Sequence, residues 1–243
     1  MKYKILIAVT AEIEAFRKCV SKCPDKSKLV IINNWTSAPV EYLCKQLESE
    51  GAEVQRYPKN LGCGASMNIG LRKIETDNLD YVIILSPSAL FTNSIQDFVD
   101  IIEEKEKMEK TEKNYYYLTV ANKLTDLHAF AVTKKCVDEV GLYDENFYPV
   151  YYDDTDYGYR MSLIGAWRTL CHPSRISQDL GGAVKSDPAI FDLYWKNVNH
   201  IHQYYGRKWG GEHTQETFKT PFNDSTKTIK DWIIEEDKIV RLP

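Results

Sequence analysis

The feature that most restricts the fold is a repeated alternation through the first half of the chain. Short runs rich in Ile, Val and Leu lie at Lys4–Val9, Leu29–Ile32, Val54–Tyr57 and Tyr81–Leu85. A segment with helical character follows each of them. Ala11–Cys23 sets Ile13, Phe16 and Val20 on one side, and Val40–Glu50 does the same with Tyr42, Leu43 and Leu47 before Gly51 stops it. Ala65–Ile74 and the highly charged, amphipathic Ile95–Lys110 complete the series. Apolar runs of this kind suit strands buried on both faces. Strand–helix repeats of this kind fold into a parallel sheet with right-handed crossovers. The expected class is therefore α/β, with a mostly parallel central sheet and helices on both faces. Ligands of such sheets sit beyond the carboxyl ends of the strands, which directs attention to Thr10-Ala11, Asn33-Asn34, Pro58–Gly64 and Ser86-Pro87-Ser88.

The second half reads differently. Tyr115–Ala121 and His128–Thr133 form a strand pair suited to antiparallel pairing, which adds a small antiparallel portion to the sheet. Lys134–Val140 is a short helix ending at Gly141, and Tyr143–Tyr152 is irregular and aromatic. Asp153–Leu163 predicts a helix, Trp167–Cys171 a strand and Asp187–Tyr205 a long amphipathic helix, after which a patternless tail is expected to pack on the body. No internal repeat and no linker rich in Gly, Pro or Ser divides the chain.

A hydrophobic fraction of 43% over 243 residues is enough for a substantial core. The net charge of −4 gives no overall footprint for nucleic acid, although 31 Lys and Arg leave room for a local basic patch. No apolar stretch approaches the ~20 residues of a membrane span. The apolar run near Met1 is too short for a secretion signal and lacks a cleavage site of small residues, so a cytoplasmic protein is expected. Cys19, Cys23, Cys44, Cys63, Cys136 and Cys171 contain no Cys-x-x-Cys pair and no zinc-finger spacing, so free thiols are expected.

Two segments carry chemistry. In Asn60-Leu-Gly62-Cys-Gly64-Ala-Ser-Met-Asn68-Ile-Gly70, the glycines permit a tight turn before a helix whose free N–H groups can meet an anion. A plain strand-to-helix turn has the same signature. In Gly141-Leu-Tyr-Asp144-Glu145 through Asp153-Asp154-Thr-Asp156 to Arg160, three carboxylates open a helix. They suit its positive end and can cap it. A cap needs only one carboxylate, however, and several acids beside many aromatics suggest a cleft with a base.

The order and spacing of these segments resemble family 2 inverting glycosyltransferases of the GT-A fold, in the style of rhamnosyltransferase-like members. The resemblance runs from about Lys4 to about Gly182 and makes residues 1–182 the core and 183–243 a helical extension packed on it. It rests on Val9-Thr10-Ala11 after the first strand, Asn33-Asn34-Trp35-Thr36 after the second, the repeated Asn-x-Gly of Asn60–Gly62 and Asn68–Gly70, and the Gly141–Arg160 block. It implies a nucleotide-sugar donor with a uridine or thymidine diphosphate, lying over Thr10, Ala11, Asn33, Asn60, Gly62, Asn68, Ser86 and Ser88. It implies Asp154 as the general base toward a hydroxyl of a glycan or other acceptor. Asp153, Asp156, Tyr151, Tyr152 and His128 would surround that acceptor, with Asp153 and Asp156 shaping the loop and Arg160 pairing with Asp156.

The pattern breaks where the family holds its divalent metal, Mn or Mg. Its metal carboxylate follows the fourth strand, and Leu85-Ser86-Pro87-Ser88 offers Ser88 there. Gln178 stands where a metal-binding His is expected, while His172 and Asp179 lie nearby. Hydroxyl and amide groups are poor ligands for a hard cation. Three readings follow. The diphosphate is held without metal by helix N–H groups or by Lys59, Arg56, Arg72 or Arg175; a metal is held weakly through water with Asp179 or His172; or the chain is a nucleotide- or glycan-binding module without turnover. A nucleotidyltransferase would need a Gly-rich basic loop where Thr10-Ala11-Glu12-Ile13 stands.

Overall fold

The computed structural model describes residues 1–34, 37–108, 114–120, 128–178 and 187–234. Trp35, Thr36 and Asp179, all singled out in the sequence, lie outside the described residues, and so do the side chains of His172, Arg175 and Gln178.

Four strands, β1 (Tyr3–Val9), β2 (Leu29–Asn34), β3 (Glu53–Tyr57) and β4 (Tyr81–Leu85), alternate with α1 (Ile13–Ser21), α2 (Ala38–Ser49) and α3 (Cys63–Thr76). Then come β5 (Ala89–Phe91), α4 (Gln96–Met108), β6 (Asn114–Val120), β7 (Ala129–Thr133), α5 (Lys134–Val140), α6 (Asp153–Leu163), β8 (Trp167–Gln178) and α7 (Pro188–Trp209). The sheet order is β3-β2-β1-β4-β7-β6-β8-β5. The first four strands pair in parallel, with Ile7 opposite Ile31 and Leu85 across β1. Strand β7 runs antiparallel between β4 and β6, and β6 pairs in parallel with β8. The alternating strands and helices and the antiparallel insert are thus present as expected.

Alternation along β1 divides the core into two layers. Ile5, Ile7 and Val9 face Phe16, Val20, Leu43 and Phe98 of α1, α2 and α4. Leu6, with Val30 and Ile32 of β2, faces Met67, Leu71, Val140 and Met161 of α3, α5 and α6. A third cluster joins Phe147 to Ile201, Tyr204, Tyr205 and Trp209 of α7. Helix α7 is well specified at both ends: Asp187 accepts from the N–H groups of Ala189 and Ile190, Pro188 occupies the first turn, and left-handed Gly210 closes it.

The differences from expectation are local. Strand β5 has only three residues, too few to show a period, and is defined by its antiparallel partner β8. Strand β8 continues past the expected Trp167–Cys171 through Pro173 to Gln178. Helix α7 extends to Trp209, because Tyr204, Tyr205, Lys208 and Trp209 all find burial.

Candidate active site

The segment between α5 and α6 is anchored residue by residue. Asn68, fully buried on α3, donates to the Tyr143 carbonyl and accepts from the Tyr143 N–H, both at 2.8 Å. Its amide also reaches Glu145, which pairs with Arg72 at 3.0 Å. Gly62 has φ 82°, and a Cβ there would lie 2.8 Å from the Tyr148 ring, while one at Gly64 would press on the Asp144 carbonyl. The Cys63 N–H at the start of α3 donates to Pro149 at 2.7 Å. The glycine-rich turn therefore lets this aromatic segment pack closely over the end of α3. Asn68 and Gly62, expected at a donor, are placed as internal ties of the fold. Two consecutive left-handed residues, Tyr151 (φ 73°) and Tyr152 (φ 64°), then turn the chain into α6.

The three carboxylates of α6 meet different surroundings. Asp156 is fully buried and accepts from Arg160 at 2.8 Å, Lys208 at 2.6 Å and the Trp209 indole at 2.8 Å. Burial opposes its charge, but Lys208 and Arg160 outweigh that and hold it below the usual carboxylate range. Lys208 also reaches Asp144 at 2.8 Å, whose other partners are Asn146 and the Tyr204 hydroxyl at 2.7 Å. Two acids and two bases thus form a buried, neutral set joining α6, α7 and the loop.

Asp153 is 3% exposed. Burial, then the charge of Asp154, pushes its pKa from 3.8 to about 7, against hydrogen bonds that include one from the Cys63 thiol. The Cys63 thiol is itself pushed well up, by burial and then by Asp153. Between about pH 4 and pH 7 the folded chain keeps a proton on Asp153 that the unfolded chain has released, so this group's contribution to stability falls as pH rises through that window. Asp153→Asn should cancel this dependence. In thermal melts the variant gains on wild type between pH 5 and pH 8, by on the order of a few kcal/mol. A pH-independent offset between the two would contradict the assignment.

Asp154 is half-buried and opens onto a cleft of about 590 Å³ lined by Tyr151, Tyr152, Thr155, Phe191, Tyr194 and Trp195. Its carboxylate accepts from the Thr155 N–H at 2.8 Å and the Thr155 hydroxyl at 3.4 Å, and the residue lines the cleft. The Tyr152 hydroxyl meets His202 Nδ1 at 3.2 Å, and its ring packs edge-on against Tyr205. Tyr151 and Tyr152 line this cleft with Asp154, and His128 does not. The α7 residues Phe191, Tyr194 and Trp195 were missed. Their signal was an aromatic spacing of three and four along a helix, which equally suits a core stripe.

At the carboxyl ends of the parallel strands, Thr10 and Ala11 are half-buried after β1. The Asn33 amide donates to Glu41 at 2.6 Å. Asn34 and Asn60 are tied at 3.0 Å, and Asn34 also accepts from the Leu61 N–H. The Ser86 and Ser88 hydroxyls lie 2.8 Å apart, with the Ser86 N–H on the His128 carbonyl. Of the proposed diphosphate cations, Arg56 is paired with Glu41 and Glu48, Arg72 with Glu145, and Lys59 is exposed. The neutral hydroxyl pair at Ser86 and Ser88 does not fit a hard divalent cation. Among the described residues, no group of three His, Cys, Asp or Glu side chains is placed to hold a metal ion. No described helix is long and apolar enough to cross a membrane.

Comparison with protein-family profiles finds no match. A galactofuranosyl glycosyltransferase of Leishmania donovani is 25% identical over 154 residues, 55% of this chain. The chain spans about a third of that relative's length. Among solved structures, S. aureus TarS 1-349 in complex with UDP-GlcNAc superposes with a TM-score of 0.56 at 10% identity, covering 88% of this chain and 74% of that one. GalNAc-T7 with UDP, GalNAc and Mn2+ superposes with a TM-score of 0.56 at 11% identity, covering 86% and 50%. These likenesses identify the mixed α/β architecture as the GT-A glycosyltransferase fold.

Proposed function

We propose that the chain transfers a sugar from a nucleotide diphosphate donor, a UDP- or dTDP-sugar, to an acceptor hydroxyl with inversion, as a family 2, rhamnosyltransferase-like enzyme. The observation that carries this reading is the separation of the α6 carboxylates: Asp153 and Asp156 are buried, while Asp154 opens on an aromatic cleft. The Asp154 carboxylate takes the proton of the acceptor hydroxyl, the oxygen bonds to the anomeric carbon, and the bond from that carbon to the diphosphate oxygen breaks on the opposite side. The donor lies over Thr10, Ala11, Asn33, Asn60, Ser86 and Ser88. Asn68 and Gly62 act at one remove, by fixing the loop.

The hydroxyls at Ser86 and Ser88 support a diphosphate held by neutral donors and backbone N–H groups, with no step assigned to a metal. Free thiols throughout support a reducing, cytoplasmic setting. The test is turnover of UDP- and dTDP-sugars in the presence of hydroxyl acceptors, with and without EDTA. Transfer should survive EDTA. A complete loss that Mn or Mg restores would overturn the metal-free reading alone. Saturable donor binding with no turnover for any acceptor would make the chain a binding module.

A further inference from the structure

The aromatic residues on α7 line the same cleft as Asp154. Tyr151 meets Tyr194 with ring centroids 5.1 Å apart, Tyr194 meets Trp195 at 5.5 Å, and Trp195 meets Phe191 at 5.9 Å. The angles between successive planes are 82°, 60° and 62°. Each edge-on contact covers one face of one ring and leaves the other faces to solvent, as the exposure of these rings shows. Tyr151, Phe191 and Trp195 are 43%, 45% and 56% exposed, whereas most large apolar side chains of this chain are buried. A row of exposed rings beginning at a half-buried carboxylate is a groove with a direction.

We propose that this row seats an acceptor glycan of several sugar units, with its terminal hydroxyl at Asp154 and its following units over Tyr194, Trp195 and Phe191. The proposal rests on the transferase reading given above and names the acceptor class. A sugar ring offers an apolar C–H face to an aromatic ring and hydroxyls to a carboxylate, and the cleft provides both. Four rings linked by successive contacts offer more stacking surface than one sugar ring at Asp154 can use, so the platform suits a chain. A compact cation would need enclosure by rings, and these rings lie open. An anionic membrane surface would need a basic rim. Around the platform, the described part of α7 and its cap instead supply Asp187 and Asp192 against Lys196, with Asp154 at the end of the row.

The test is tryptophan fluorescence and calorimetric titration of the intact chain, without donor, using uncharged hexose oligosaccharides of one to four units in α and β linkage. Affinity should rise with length, by about tenfold or more between one unit and four. Trp195→Ala should abolish that increment and Trp195→Phe should restore part of it, with melting temperatures unchanged because the side chain is exposed. In turnover assays Trp195→Ala should raise the KM for a long acceptor and leave the KM for the donor in place. Affinity independent of length, indifference to Trp195→Ala, or no binding across the panel would overturn the proposal. Binding to phosphatidylglycerol vesicles in place of sugars would overturn it too, as would self-association that Trp195→Ala disrupts. Because these titrations need no donor, a chain that binds glycans in this way and never turns over would refute the transferase reading and leave the glycan platform standing.

Discussion

Lys208→Ala should destabilise the chain by about 3–5 kcal/mol, the usual effect of leaving a buried charge without its partner. Lys208 is fully buried and is shared by Asp144 and Asp156 at 2.8 and 2.6 Å. Removing it leaves two buried carboxylates facing Arg160 alone, so a neutral set becomes a net negative one. In a chain of this size that lowers the melting temperature by on the order of 10 °C. The charge is the cause, so Lys208→Met, which keeps most of the volume, should be nearly as damaging. Adding Asp144→Asn to Lys208→Met should recover part of the loss, because it restores neutrality and keeps partners for Asn146 and Tyr204. Equal melting temperatures for wild type and Lys208→Met would show that packing dominates there.

Asp154→Asn should have the largest effect on activity. Loss of a positioned general base slows transfer by roughly 10²–10⁴-fold. The side chain is half-buried and its hydrogen bonds are local, to Thr155. The amide keeps the acceptor oxygen for those bonds, so near pH 5, where Asp153 holds its proton and carries no charge for Asp154 to repel, the variant should melt within a degree or two of wild type, ~0.5 kcal/mol or less. Donor affinity should also hold, because Asp154 lies on the acceptor side. Initial transfer rates at saturating donor, measured beside a thermal melt, separate loss of chemistry from loss of fold. A rate within about threefold of wild type would remove Asp154 from the mechanism.

The parallel half of the sheet could be read from the chain because its strands are uninterrupted apolar runs and its helices keep one period. Ile5, Ile7 and Val9 had to face one layer and Leu6 the other whatever lay farther along. Three kinds of feature were not legible. Strand β5 exists through β8, a partner far away in sequence, and three residues alone carry no period. Lys208, beside Arg207 near a helix end, looks like an ordinary basic cap, and only the meeting of α6 with α7 shows that it is interior. The glycines at 62 and 64 announce that something approaches closely without saying what. The visitor is the Tyr143–Pro149 segment of the same chain. The three acids of α6 were legible as a group, and the resemblance already set Asp154 apart from Asp153 and Asp156; the packing adds that those two are buried while Asp154 lines the cleft.

The turn at Tyr151 and Tyr152 sets local comfort against the shape of the cleft. Two adjacent side chains in the left-handed region cost about 1–3 kcal/mol each, and glycine would relax either position. A redesign guided by stability alone would therefore introduce glycine here, and at position 151 it would delete the first ring of the row that leads away from Asp154. The loop is a place where thermostability and substrate range trade against each other, and libraries built to broaden one should be screened for the other.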